Sequence, residues 1–115
     1  MKKHLLLLIL FLLTVASTLF AQSLNSTLTL PLLPNEQWWG GAAQYGYKMP
    51  FNKSSNFSFN LYGDVSNNQS ASLLLSNKGR WVWCNDPFQF SFQNNELRIT
   101  NSTGEKTETG VAGSN

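Results

Sequence analysis

The side chains able to do chemistry are few, and their types exclude more reactions than they suggest. His4 is the only histidine, and it stands at the start of an apolar run. Beyond that run there is no imidazole to act as acid or base and no His-activated nucleophile. A zinc site needs several His or Cys ligands. Cys84 is the only cysteine, so no metal site is expected, and an internal disulfide is excluded. Cys84 ends the run Arg80-Trp81-Val82-Trp83-Cys84 with no histidine near it, which reads as a small buried hydrophobe. The carboxylates beyond residue 21 are Glu36, Asp64, Asp86, Glu96, Glu105 and Glu108. Two of them could pair as a glycosidase acid and nucleophile. Their spacing selects no pair, so turn and surface roles are expected. Gly40-Gly41 lacks the further glycines and the lysine of a phosphate loop. No catalytic residue, metal or cofactor is assigned.

The aromatic side chains are the more informative group. Trp38, Trp39, Tyr45, Tyr47, Trp81 and Trp83 are many for so small a chain. A flat indole can stack on the C–H face of a sugar while neighbouring Asn and Gln bind hydroxyls. The same rings can instead fill a core or an interface. Adjacent residues of a strand point to opposite faces, so at least one of Trp38 and Trp39 should be buried.

These residues must be positioned by strands. Ser26 to Leu33 alternates Leu28 and Leu30 with polar neighbours before Pro31 and Pro34, the pattern of an edge strand or strand end. Trp38-Trp39-Gly40-Gly41 reads as a strand entering a tight bend. Gln44 to Phe51 is a second aromatic segment, closed by Pro50. Phe57, Phe59 and Leu61 share one face of a strand, and Gly63-Asp64 and Ser66-Asn67-Asn68 are turns. Ala71 to Leu75 is a continuous apolar strand, expected to be covered on both faces if the fold is a sandwich. Ser76-Asn77-Lys78-Gly79 is a hairpin turn with Gly79 suited to positive φ. Trp81 and Trp83 share one face of the returning strand, Val82 and Cys84 the other. Phe88, Phe90 and Phe92 line the next strand. After a turn at Gln93-Asn94-Asn95, Glu96 to Thr100 points Leu97 and Ile99 inward. Short strands between Asn, Gly and Ser turns predict an all-β, antiparallel sandwich or barrel.

The flanks differ from this middle. Lys2, Lys3 and His4 precede the unbroken apolar run Leu5 to Leu13, which Thr14, Ser17 and Thr18 then dilute. Basic, apolar and small-residue regions in that order predict a secretion signal over residues 1–21, cleaved near Ala21. The apolar run is about half the length of a spanning helix. Export would place the remainder in a secreted or periplasmic setting, with no membrane partner once the signal is removed. The full chain has 8 Lys+Arg and 6 Asp+Glu. Loss of Lys2 and Lys3 leaves equal numbers, scattered among Asn, Ser and Thr, so no nucleic-acid surface is expected. Residues 22–100 then form the β domain. Asn101 to Asn115 is polar and glycine-rich and reads as a flexible tail or a truncated loop.

Two blocks of residues carry a resemblance. Leu33-Pro34-Asn35-Glu36-Gln37-Trp38-Trp39-Gly40-Gly41, followed by Lys48-Met49-Pro50-Phe51, resembles the opening of bacterial glycoside hydrolase family 31, the α-glucosidase and α-xylosidase family. Asn68-Gln69, leading to Leu73-Leu74-Leu75-Ser76-Asn77-Lys78-Gly79-Arg80-Trp81-Val82-Trp83, is similar to the stretch that follows in the same N-terminal domain. The resemblance implies a galactose-mutarotase-like β-sandwich, incomplete here. In the family it precedes a (β/α)-barrel whose two aspartates act as nucleophile and acid in a retaining mechanism. No carboxylate of this sequence matches them. The resemblance therefore implies a non-catalytic portion of an α-glycosidase, inactive by itself, with the missing barrel as packing partner. Carbohydrate would be the ligand of the parent enzyme. The substrate-edging positions it implies are Trp38, Trp39, Asn68 and Gln69. The alternative is a free-standing secreted carbohydrate-binding or surface-adhesion module using exposed tryptophans.

Overall fold

The computed structural model describes residues 3–9, 26–63 and 69–113. Residues 3–9 form a short exposed helix, and no helix among the described residues is long and apolar enough to cross a membrane. The rest of the expected signal, and the turn at Asp64 to Asn68, lie outside the described residues.

Among the described residues eight strands build an antiparallel β-sandwich: β1 Ser26–Pro31, β2 Trp38–Ala42, β3 Phe57–Asn60, β4 Ser70–Ser76, β5 Arg80–Trp83, β6 Gln89–Gln93, β7 Glu96–Asn101 and β8 Glu108–Val111. The first sheet has the order β1-β7-β6-β3 and the second β2-β4-β5-β8. Proline cannot donate to a ladder, and Pro31 accordingly ends an edge strand. Asn94 and Asn95 both take positive φ between β6 and β7. That is the two-residue turn whose twist matches a hairpin. Gly79 does the corresponding work between β4 and β5, with φ of 79°.

The core lies between the sheets and is largely aromatic. Phe88, Phe90, Phe92, Leu97 and Ile99 enter it from the first-sheet side, and Trp38, Leu74 and Val82 from the second. Phe51 lies between these groups. Its ring stacks on Phe57 and on Phe92, each with centroids 4.8 Å apart. Its backbone exchanges hydrogen bonds with Trp38, at 2.8 and 2.9 Å. Cys84 is buried and unpaired. The Asn101 side chain donates to the Cys84 sulfur and to the Pro87 carbonyl, and it accepts from the Thr103 backbone and hydroxyl. A buried amide satisfied in this way fixes the end of β7.

Two expectations need correction, and the aromatic Gln44–Phe51 segment gains an element. The 101–115 segment is not a tail throughout. Asn101 is a buried residue of β7, and Glu108–Val111 pairs with β5 from Arg80↔Val111 to Trp83↔Glu108. A polar stretch without alternation gains this strand from the backbone donors and acceptors of its neighbour. The Gln44–Phe51 segment starts within a 3-10 turn, Ala43–Lys48, that carries the chain from β2 towards Phe51. β4 is covered on one face only: Leu74 is fully buried while Leu75 is half exposed.

The bend after the paired tryptophans has a steric cause. Gly40 has φ of 135°, and a Cβ there would lie 2.2 Å from the Leu73 carbonyl oxygen. Only glycine permits that approach of β2 to β4. The register shifts between Gly40 and Ala42, a bulge that turns the edge strand.

Candidate functional site

The two sheets present opposite chemistry to the outside. On the first sheet the outward residues are exposed and polar, among them Thr27, Thr29, Ser58, Asn60, Gln89 and Arg98. The second sheet turns two rows of apolar side chains outward. One row runs Trp39, Leu75, Trp81, Gly110 across β2, β4, β5 and β8, and the next runs Leu73, Trp83, Glu108. Trp39 and Trp83 are 40% and 42% exposed. Strand alternation that sends Trp38, Leu74 and Val82 inward sends their neighbours here.

Beside this face, at the β2 edge, the bulge opens a concavity of about 520 Å³. Trp39, Ala42, Met49, Gln69, Leu73 and Leu75 are among the residues lining it. Its position is held by a backbone bond from the Ala43 N–H to the Gln69 carbonyl, 2.9 Å. The volume falls within the range of small-molecule sites, and an apolar wall with a few polar groups is their usual composition.

The four positions implied by the sequence separate in space. Trp39 and Gln69 both line the concavity. Trp38 is fully buried, its ring 6.4 Å from Phe92. It has no free face for a ligand, so its part in the fold is packing. Asn68 lies outside the described residues. Met49, Leu73 and Leu75 complete the wall; they belong to the resembling blocks but were not among the substrate-edging positions these implied.

The strongest electrostatic feature was also not visible in sequence. The side chain of Glu36 is fully buried. Its oxygens accept bonds from Arg80 Nε and Nη2, from the Ser76 hydroxyl at 2.8 Å and from the Leu33 N–H at 3.1 Å. Arg80 Nη2 also donates to the Pro31 carbonyl at 2.9 Å, and its guanidinium carbon lies 5.6 Å from the Trp38 ring centroid. The cluster therefore ties the end of β1 and the β1–β2 turn to β4 and β5. Burial pushes the Glu36 carboxyl up. The Arg80 guanidinium, the Leu33 N–H and the Ser76 hydroxyl outweigh it and hold the pKa at about 2. The Trp38 indole acts in the same sense, although its N–H does not reach hydrogen-bond geometry. A carboxylate so occupied is neither a free acid nor a free base, so it serves architecture.

This arrangement sets a pH dependence. Glu36 is ordinarily half-protonated near pH 4.5 and in the fold near pH 2. Its contribution to stability is full above pH 4.5 and is lost as pH falls through the folded value. The difference corresponds to about 3 kcal/mol. Urea unfolding between pH 6 and pH 2 is expected to show a fall of that order, and Glu36→Gln is expected to flatten it. An unchanged slope in the variant would remove Glu36 from the account.

Among the described residues no group of His, Cys, Asp and Glu is arranged to hold a metal ion. Compared with protein-family models and with curated proteins, the chain matches none. The resemblance of the two blocks thus rests on their own residues. In the fold these blocks adjoin: β2 of the first pairs with β4 of the second, and Glu36 of the first holds Arg80 of the second.

Proposed function

We propose that this β-sandwich is the N-terminal, non-catalytic part of a secreted or periplasmic retaining α-glycosidase acting on α-glucosides or α-xylosides. The observation that carries the reading is that Trp39 and Gln69 both line one concavity beside an apolar sheet face. An exposed indole offers a stacking surface and the Gln69 amide offers hydrogen bonds, the two contacts a pyranose ring uses. The joining of the two resembling blocks through Glu36 and Arg80 supports a shared sandwich architecture. The catalytic barrel of such an enzyme would adjoin the β2 edge, where the concavity opens, and would supply the acid and the nucleophile.

The purified chain is expected to show no turnover of aryl α-glucosides or α-xylosides. Titration with the same glycosides is expected to change its tryptophan fluorescence. Trp39→Ala should weaken that response about tenfold, the loss of one stacking contact. Turnover by the chain alone would overturn the non-catalytic assignment. A response unaffected by Trp39→Ala would remove the concavity from the sugar site.

A further inference from the structure

We propose that the outer face of the second sheet is a platform for a neutral polysaccharide chain, with Trp81 and Trp83 on β5 as its stacking surfaces. It rests on the carbohydrate reading above and extends it from a single sugar at the β2 edge to a polymer lying across β4, β5 and β8.

The first observation is the contrast between the faces. One sheet of the same sandwich is polar outside, while the other exposes Trp39, Leu75 and Trp83. An exposed apolar patch of a few hundred Å² is often functional. The second observation is Gly110. It pairs with Trp81 across β5 and β8, and a Cβ there would lie 2.6 Å from the indole Cζ2 and 2.8 Å from Cε2. The indole therefore leans over β8 into the space a side chain would fill. Trp81 is only partly exposed, so Trp83 is the main stacking surface and Trp81 extends it over β8. Trp83 stands two residues away on the same face, about 7 Å along the strand.

Charge and area select the occupant. The two outward rows contain no Lys or Arg, and Glu108 is their single charge. That disfavours phosphate backbones and anionic lipid, both of which need clustered cations. The exposed parts of Trp39, Leu75 and Trp83 amount to roughly 300 Å². A stable dimer buries about 800 Å² on each partner, so a second copy is poorly matched. A neutral chain of pyranose rings needs only flat apolar area and no counter-charge.

Affinity electrophoresis of the full purified chain through gels containing soluble starch or xyloglucan tests the platform. At least one polymer is expected to retard it, and Trp83→Ala is expected to weaken retention at least tenfold. Gln69→Ala, at the concavity and outside both outward rows, is expected to leave retention within about threefold while weakening the aryl glycoside response. That crossed pattern separates the platform from the concavity, so either can fail alone. Acrylamide quenching of tryptophan fluorescence in the unsubstituted chain should fall when the polymer is added, which needs no variant to fold. The proposal is overturned if neither polymer retards the chain, or if Trp83→Ala retains it as well. It is equally overturned if light scattering finds a dimer that Trp83→Ala dissociates, or if phosphatidylcholine vesicles protect the indoles instead.

Discussion

Replacing Arg80 by alanine is expected to destabilise the sandwich by about 3–5 kcal/mol, read from urea unfolding at neutral pH. The magnitude follows from what the substitution leaves behind. Glu36 would remain fully buried at its side chain, with its charge facing a space the guanidinium had filled. The Ser76 hydroxyl and the Leu33 N–H would still bond to it, but neither carries a compensating charge. The Pro31 carbonyl would lose its donor as well. A surface ion pair is worth at most about 1 kcal/mol, so the measured loss separates a buried architectural pair from a decorative one. Small domains have about 5–15 kcal/mol in total, and the variant should therefore lie near its unfolding limit. Pairing Arg80→Met with Glu36→Gln should recover much of the loss, because a neutral pair leaves no uncompensated charge. A loss below about 1 kcal/mol for Arg80→Ala would show that the cluster does not tie the sheets.

Phe51→Ala carries the second large effect, also about 3–5 kcal/mol. Phe51 is almost fully buried and belongs to neither sheet ladder beyond a single bridge to Trp38. Its ring is stacked between Phe57 of β3 and Phe92 of β6 and meets Phe90 edge-on at 6.2 Å. Removing it opens a hole bounded by three rings held in strands, and rings fixed by ladder hydrogen bonds relax little into a cavity. Phe51→Leu keeps most of the volume and should cost clearly less. Trp83→Ala, on the outer face, should cost less still, because its site is already open to water. Thermal unfolding of the three variants should rank them in that order. A Phe51→Ala loss no larger than that of Trp83→Ala would place the core elsewhere.

The alternation of Phe88, Phe90 and Phe92, of Leu97 and Ile99, and of Val82 and Cys84 against Trp81 and Trp83 was legible because a strand has a period of two. So were the turns at Asn94-Asn95 and Gly79, whose positive φ suits Asn and Gly. For Trp38 and Trp39 the same period established that one enters the core, but not which. The choice came from the pairing of Trp38 with Ser76 and its bridge to Phe51. β4 misled by composition: Leu73-Leu74-Leu75 looks covered on both faces, yet only Leu74 is.

The concavity was partly legible. The resemblance implied a substrate-edging place for Trp39 and Gln69, but Met49, Leu73 and Leu75 of the same blocks reach that wall only through the bulge and the sheet register. The Glu36–Arg80 pair joins residues 44 positions apart, a distance over which no periodicity or spacing rule speaks. β8 is the same lesson in backbone form, since Glu108–Val111 has no pattern of its own and is a strand because β5 offers unpaired donors and acceptors.

Residue types and the two-residue period thus determined the strands, their turns and the lack of histidine or multi-cysteine chemistry beyond the N-terminal segment, because those depend on local backbone geometry and composition. Which tryptophan is buried, which sheet faces outward apolar and which charges meet were decided only in the tertiary structure. Each depends on strand register and sheet partner, and these are set by burial summed over the whole molecule.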